Sequence, residues 1–342
     1  MLILVTGAGG FIGHCLVKKL KADGETVIAA DWKYPEFERS PADRFFNVDL
    51  RYKEETEAIF RSCGQFDEVY NLAANMGGMG FIENYRALIM RDSVLISTNV
   101  LEAARKYQAR RFFYSSSACA YNTELQKDLN NPALSEDMAY PAMPEAGYGW
   151  EKLFSELLCQ YFREDYGLVT RVARYHNVYG PNGTWRGGRE KAPAAMCRKV
   201  ILTASKGEIE IWGDGKQQRS FMFIDDCVEG TLKIMRGDYP HPLNLGSDEL
   251  VEINHLADIA MSFEKKHLTK KYIEGPLGVR GRNSDNSLIQ KVLGWRPSIS
   301  LNTGLEKTYF WIKGEIETLR AQGVGLEASS EIPEVTDKRY VG

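Results

Sequence analysis

The chain has 342 residues, with 43 Lys and Arg against 46 Asp and Glu, a formal charge of -3, 44% apolar residues, 31 Gly and 12 Pro. That composition is globular, and the length suits about two domains around a core that needs no disulfide or metal. It excludes a disordered or collagen-like chain, and the balanced charge offers no basic surplus for a nucleic-acid backbone.

The first half reads as alternating strands and helices. Leu2 to Thr6 is a short apolar run that ends in glycine, as expected of a strand buried on both faces. Phe11, Ile12, Leu16, Val17 and Leu20 then fall at helical spacing, and Thr26 to Ala30 forms a second strand. Further strands are predicted at Phe45 to Val48, Glu68 to Leu72, Arg111 to Ser115 and Val169 to Tyr175. Helices are predicted at Glu54 to Ser62, Tyr85 to Tyr107 and Tyr148 to Asp165. This alternation predicts an α/β fold with a doubly wound parallel sheet over 1–178, with a return at 214–236. Beyond 178 the pattern loosens into Gly-rich and basic loops, with isolated elements near Trp212, Asn244 and His255 to Phe263. A smaller substrate-binding domain over 179–342 is expected there, ending in a polar tail from about Ala321.

The six cysteines, at 15, 63, 119, 159, 197 and 227, contain no Cys-x-x-Cys pair, and the five histidines show no triad or ligand spacing. No metal site or disulfide framework is expected, and most of the thiols read as small interior hydrophobes in a reducing compartment. No stretch reaches the roughly 20 apolar residues of a membrane span, and the apolar Met1 to Val5 lacks a basic leader. The expectation is a cytoplasmic protein with no membrane partner.

Two constellations carry chemistry. Gly7, Gly10 and Gly13 make a GxxGxxG series between the first strand and the first helix, opening with Phe11 and Ile12. Glycine keeps side chains away from a pyrophosphate there, and the helix start offers N–H groups and a positive dipole end. Asp31 follows about 20 residues on, where a carboxylate can accept the ribose hydroxyls and repel a 2′-phosphate, so NAD is expected over NADP. Asp49 and Ala73, at the ends of the next strands, read as the rim around adenine and ribose. The second constellation is Ser115-Ser116-Ser117 at a strand end, followed by Tyr148 and Lys152 four apart on a helix. A lysine beside a phenol favours tyrosinate, the form that takes a proton from a hydroxyl, and Ser117 can hold the substrate oxygen in line.

These motifs, with Arg219-Ser220-Phe221-Met222-Phe223-Ile224-Asp225-Asp226, resemble the extended short-chain dehydrogenase/reductases, the superfamily of nucleotide-sugar epimerases and dehydratases. By that likeness Ser117, Tyr148 and Lys152 serve hydride transfer at sugar C4. Dehydratases of the superfamily carry an Asp-Glu pair after the hydroxyl residue, where this chain has Ala118 and Cys119. A thiol becomes a usable base once a cation favours its thiolate, and Lys191 reads as that cation and as the opposing acid.

The runs Asn71 to Gly80, Ser117 to Cys119, Tyr175 to Pro181, Gly187 to Ala195 and Gly281 to Asn286 resemble the 3,5-epimerase branch of this superfamily. The resemblance implies conversion of GDP-mannose to GDP-L-galactose, a precursor for ascorbate or glycans, with Cys119 and Lys191 as the acid/base pair. It also implies substrate contacts at Gly77, Ser117, Cys119, Asn177, Glu190, Lys191, Ala192, Lys199, Gln217, Gln218, Arg219 and Arg282, with the arginines gripping the diphosphate, and a homodimer. Trp212 reads equally as core or as a base platform. Two departures from the pattern are Ala120, in place of a larger aliphatic residue, and Asn122, in place of proline. A 4-epimerase, which needs neither Cys119 nor Lys191, and a non-catalytic NAD-binding scaffold are the alternatives.

Overall fold

A computed structural model describes residues 1–77, 79–128, 133–275 and 278–326. Gly78 of the predicted substrate run and the polar tail around Ser330 lie outside the described residues. In chain order the first half comprises β1 (Leu2–Thr6), α1 (Phe11–Ala22), β2 (Thr26–Asp31), β3 (Arg44–Asn47), α2 (Lys53–Cys63), β4 (Glu68–Asn71), α3 (Met79–Asn84), α4 (Arg86–Lys106), β5 (Arg111–Ser117), α5 (Ala146–Tyr166) and β6 (Val169–Tyr175). The predicted helix from Tyr85 to Tyr107 is thus preceded by a separate short helix, with Tyr85 at the break.

The second half comprises β7 (Val178–Tyr179), α6 (Ala192–Leu202), β8 (Glu208–Trp212), β9 (Gln218–Ser220), β10 (Met222–Phe223), α7 (Ile224–Arg236) and β11 (Leu243–Leu245). It continues with β12 (Leu250–Glu252), α8 (Ile253–Ser262), β13 (Thr269–Ile273), β14 (Gly281–Arg282), α9 (Ser287–Leu293) and α10 (Leu301–Ala321).

Seven parallel strands form the main sheet in the order β11-β6-β5-β4-β1-β2-β3. The strand order reverses between β1 and β4, which opens a crevice at their carboxyl ends, the usual ligand position of a Rossmann-type sheet. Alternation along the strands supplies both faces. Ile3 and Val5 of β1 pack with Leu16, Val17 and Leu20 of α1 and with α7, whereas Leu4 packs with Ile59 and Phe60 of α2 and with α4 and α5.

The segment near Asn244, expected in the smaller region, is instead the edge strand β11 of the main sheet. Its side chains are all buried, but three residues are too few to show a period. The remaining strands form a three-stranded sheet, β12-β9-β14, and two two-stranded sheets, β10-β7 and β13-β8. Helices α6, α8 and α10 pack together over them, and their apolar residues, including Cys197, Leu256 and Tyr309, belong to the same cluster as the α1 and α7 face of the main sheet. Among the described residues no helix is long and apolar enough to cross a membrane.

Candidate active site

One cleft of about 860 Å³ runs from the glycine turn to Arg282. At its sheet end the turn is too tight for side chains. A Cβ on Gly7, whose φ is +70°, would lie 2.7 Å from the Ala73 nitrogen, and one on Gly13 would lie 2.1 Å from the Gly7 carbonyl oxygen. No side chain caps the start of α1, so its first N–H groups remain available to an anion.

Asp31 ends β2 at the cleft, accepting hydrogen bonds from the Gly9 and Lys33 backbone nitrogens at 2.9 and 3.2 Å. Burial pushes its carboxyl upward, and those two N–H groups oppose the shift. Asp49 is engaged by Arg51, whose Nε lies 3.0 Å from Oδ1. This uncapped, side-chain-free cradle with a carboxylate at its rim fits a dinucleotide: Gly7, Gly10, Phe11, Ile12, Gly13, Asp31, Asp49 and Ala73, all of which line the cleft, would hold NAD.

Ser117 closes β5, and α5 brings Tyr148 and Lys152 to the same part of the cleft. The local electrostatics differ from the sequence expectation. Lys152 Nζ donates to Tyr114 Oη and to the Ser115 carbonyl, both at 3.1 Å, and stands 5.3 Å from the centre of the Tyr148 ring. Burial holds the Tyr148 phenol well above its ordinary value, with the negative charges of Cys119 and Glu151 adding to the rise and Ser117 opposing it. Lys152 is thus anchored to its strand neighbours and does not bond the phenol.

Cys119 sits in a 3₁₀ turn directly after β5, with its backbone N–H on Ser117 Oγ at 3.2 Å. Two cations act on this thiol, the expected Lys191 and also Arg282. The cation in contact with the thiol is Arg282, whose Nη1 lies 3.6 Å from Sγ, and this guanidinium also bonds Glu145 at 2.7 Å and Gln126 at 2.6 Å. Burial pushes the thiol up and Glu145 adds to the rise, while Arg282 and Lys191 pull it down. Lys191 caps α6, and burial lowers its ammonium.

Asn177, Glu190, Ala192, Lys199, Gln217, Arg219 and Gly77 also line the cleft. Glu190 pairs with Arg198 at 3.0 Å, Lys199 Nζ donates to the Glu210 carbonyl at 2.8 Å, and Gln217 Oε1 is buried without a hydrogen-bond partner. Burial, with Arg282 nearby, lowers the Arg219 guanidinium to about 10. Gln218, between Gln217 and Arg219, is not among the residues that line the cleft. Trp212 borders the cleft, its ring centre 5.9 Å from Lys199 Nζ. His176 is fully buried against Asn244 at 3.0 Å. No group of three or more His, Cys, Asp or Glu able to hold a metal occurs among the described residues.

Glu145 and Gln126 were absent from the sequence reading. Glu145 carried a faint signal, as the residue capping the helix of Tyr148 and Lys152. Gln126 carried none, because its contact partner lies 156 residues away.

The profile of the NAD dependent epimerase/dehydratase family matches residues 3–246. The chain is 49% identical over 334 residues to "GDP-mannose 3,5-epimerase" of Arabidopsis thaliana, covering 96% of this chain and 87% of the relative. Among solved structures it resembles the UDP-glucose 4-epimerase of Thermotoga maritima, with a TM-score of 0.82, 27% identity, and coverage of 92% of this chain and 100% of the other. It also resembles the UDP-glucuronic acid 4-epimerase of Bacillus cereus, solved with UDP-glucuronic acid and NAD, with a TM-score of 0.77, 25% identity, and coverage of 92% and 100%. A profile match over most of the chain, a dinucleotide cradle at the sheet's switch point and a near-full-length relative of this type agree: the chain belongs to the NAD dependent epimerase/dehydratase family.

Proposed function

We propose that the protein inverts C3 and C5 of GDP-D-mannose to give GDP-L-galactose. The observation that carries this reading is the placement of Cys119 and Lys191 in one cleft with Ser117 and Tyr148, within electrostatic reach of each other. Relatives near 50% identity that are named for this reaction support it. Bound NAD supplies the hydride acceptor and donor for sugar C4. Tyr148 takes and returns the C4 hydroxyl proton, and Ser117 holds that oxygen in line. A ketone at C4 acidifies the C3 and C5 protons, because the enolate spreads charge onto the carbonyl oxygen. Cys119 and Lys191 then move those protons on opposite faces of the ring. Burial raises the thiol's affinity for a proton and lowers that of the ammonium, so Lys191 gives up a proton more readily than an exposed lysine would.

In this reading 1–178, with returns over 214–236 and at β11, is the cofactor lobe, and the rest of 179–342 is mainly the sugar lobe. Six free cysteines suit a reducing compartment such as the cytoplasm. A homodimer is part of the proposal. Trp150, Phe154, Leu157 and Tyr161 form one exposed stripe on α5 beside Met90 and Leu95 of α4, which packs against it, and a two-fold axis would cover both helices.

The deciding experiment incubates Cys119→Ala with GDP-mannose in heavy water. Deuterium uptake at C3 and C5 should fall by about 10²- to 10⁴-fold while oxidation at C4 persists. Undiminished uptake refutes the assignment.

A further inference from the structure

Arg282 comes from β14 in the second half of the chain and inserts among residues that follow β5. Three of its nitrogens each meet a partner: Nε donates to Gln126 Oε1 at 2.6 Å, Nη2 to Glu145 Oε2 at 2.7 Å, and Nη1 to Cys119 Sγ at 3.6 Å. Gln126 is fully buried, and Arg282 and Cys119 are each 6% exposed. The braces are themselves held. Gln126 Nε2 donates to the Asn122 carbonyl at 3.1 Å, and its own carbonyl accepts from the Arg280 nitrogen at 3.0 Å. Asn122 Oδ1 in turn accepts from the Glu124 nitrogen at 2.9 Å, and the Glu145 N–H donates to the Cys119 carbonyl at 2.9 Å. A guanidinium is a rigid planar fork, so two fixed anchors determine where its third nitrogen points.

We propose that Gln126 and Glu145 are positioning residues that aim the Arg282 guanidinium at the Cys119 sulfur, with Glu145 balancing its charge. The thiolate, the form able to take a ring proton, thereby has its counterion in place before the sugar arrives. This rests on the assignment of Cys119 as a proton-transfer group. The charged and titratable groups around the sulfur are Glu145 and Tyr148 from α5 and its cap, Arg282 from β14, Arg219 from β9 and Lys191 ahead of α6. The hydroxyl of Ser117 also contacts it, and the wall from α3 is apolar, with Phe81 and Ile82.

The test reads the thiol directly. The NAD-loaded full-length protein, without sugar, is treated with iodoacetamide, and alkylation of the Cys119 peptide is followed by mass spectrometry across pH. Glu145→Gln keeps an acceptor oxygen for Nη2 but removes the opposing charge, so alkylation at neutral pH rises by about tenfold. Gln126→Met removes the Nε acceptor without changing charge and releases the guanidinium, so alkylation falls by about threefold or more. Shifts of opposite sign support the proposal, because a merely loosened site moves both variants the same way. Shifts of one sign, or none, overturn it. If Gln126→Met does not fold, Gln126→Asn, which withdraws the same acceptor by one methylene and keeps the amide, takes its place in the comparison, and a rise or no change in that variant overturns the proposal. Alkylation needs no substrate, so opposite shifts in a protein that leaves GDP-mannose unexchanged would uphold the positioning role and refute the reaction.

Discussion

Replacing Gly149 with alanine should slow the enzyme by way of its backbone. In most helix interiors this change stabilises by about 1 kcal/mol, because alanine restricts the unfolded chain and favours the helix. Here a Cβ would lie 2.2 Å from the Cys119 carbonyl oxygen, 2.9 Å from Pro144 Cβ and 3.1 Å from the Cys119 carbonyl carbon. Relief requires the 3₁₀ turn carrying Cys119 to move away from α5 by about 1 Å, a displacement that can cost about 10²-fold when reacting groups must align. It also strains the bond from the Glu145 nitrogen to the Cys119 carbonyl. Overpacking of this kind typically costs about 1–3 kcal/mol, which outweighs the helical gain. The assay is kcat for GDP-mannose conversion together with the thermal unfolding midpoint, and both should drop. An unchanged kcat with a raised midpoint would refute the claim that α5 presses on the Cys119 backbone.

Three further outcomes are expected. His176, held down to about 3 by burial, stays neutral in the folded chain while the unfolded chain protonates below 6.5. Stability should therefore fall as pH drops from 6.5 toward 3, by up to about 1.4 kcal/mol per pH unit from this group. Urea midpoints measured across that window, flattened in His176→Gln, would check it. NAD at 100 times its Kd should stabilise the protein by about 2.7 kcal/mol, and Asp31→Ala should abolish most of the rise in thermal midpoint. A full rise in that variant would contradict the cradle. Phe154→Glu with Tyr161→Glu should place charges on the exposed stripe of α5 and give monomers in sedimentation, whereas an unaltered mass would remove that face from the interface.

Local signals made the first half of the fold legible. A strand run, a glycine turn and a helical period lie within about 20 residues of one another, so β1, the cradle and Asp31 could be read in sequence. Tyr148 and Lys152 were legible for the same reason, being one helical turn apart. The C-terminal helix α10 went unread, although Leu301, Leu305, Tyr309, Ile312 and Ile316 carry its period. The strands β7, β9, β10, β12 and β14 have two or three residues each, and β9, β12 and β14 exist because of partners distant in sequence.

The amino-acid sequence alone determined the parallel α/β class and the dinucleotide turn, and it supplied the side chains proposed to handle protons. Each of these depends on residue type or on spacing within one element. Tertiary structure decided what surrounds those side chains. It anchors Lys152 on Tyr114 and brings Arg282 across 163 residues onto Cys119. A thiol's proton affinity depends on burial and on charges a few ångströms away, and only the folded chain sets those distances.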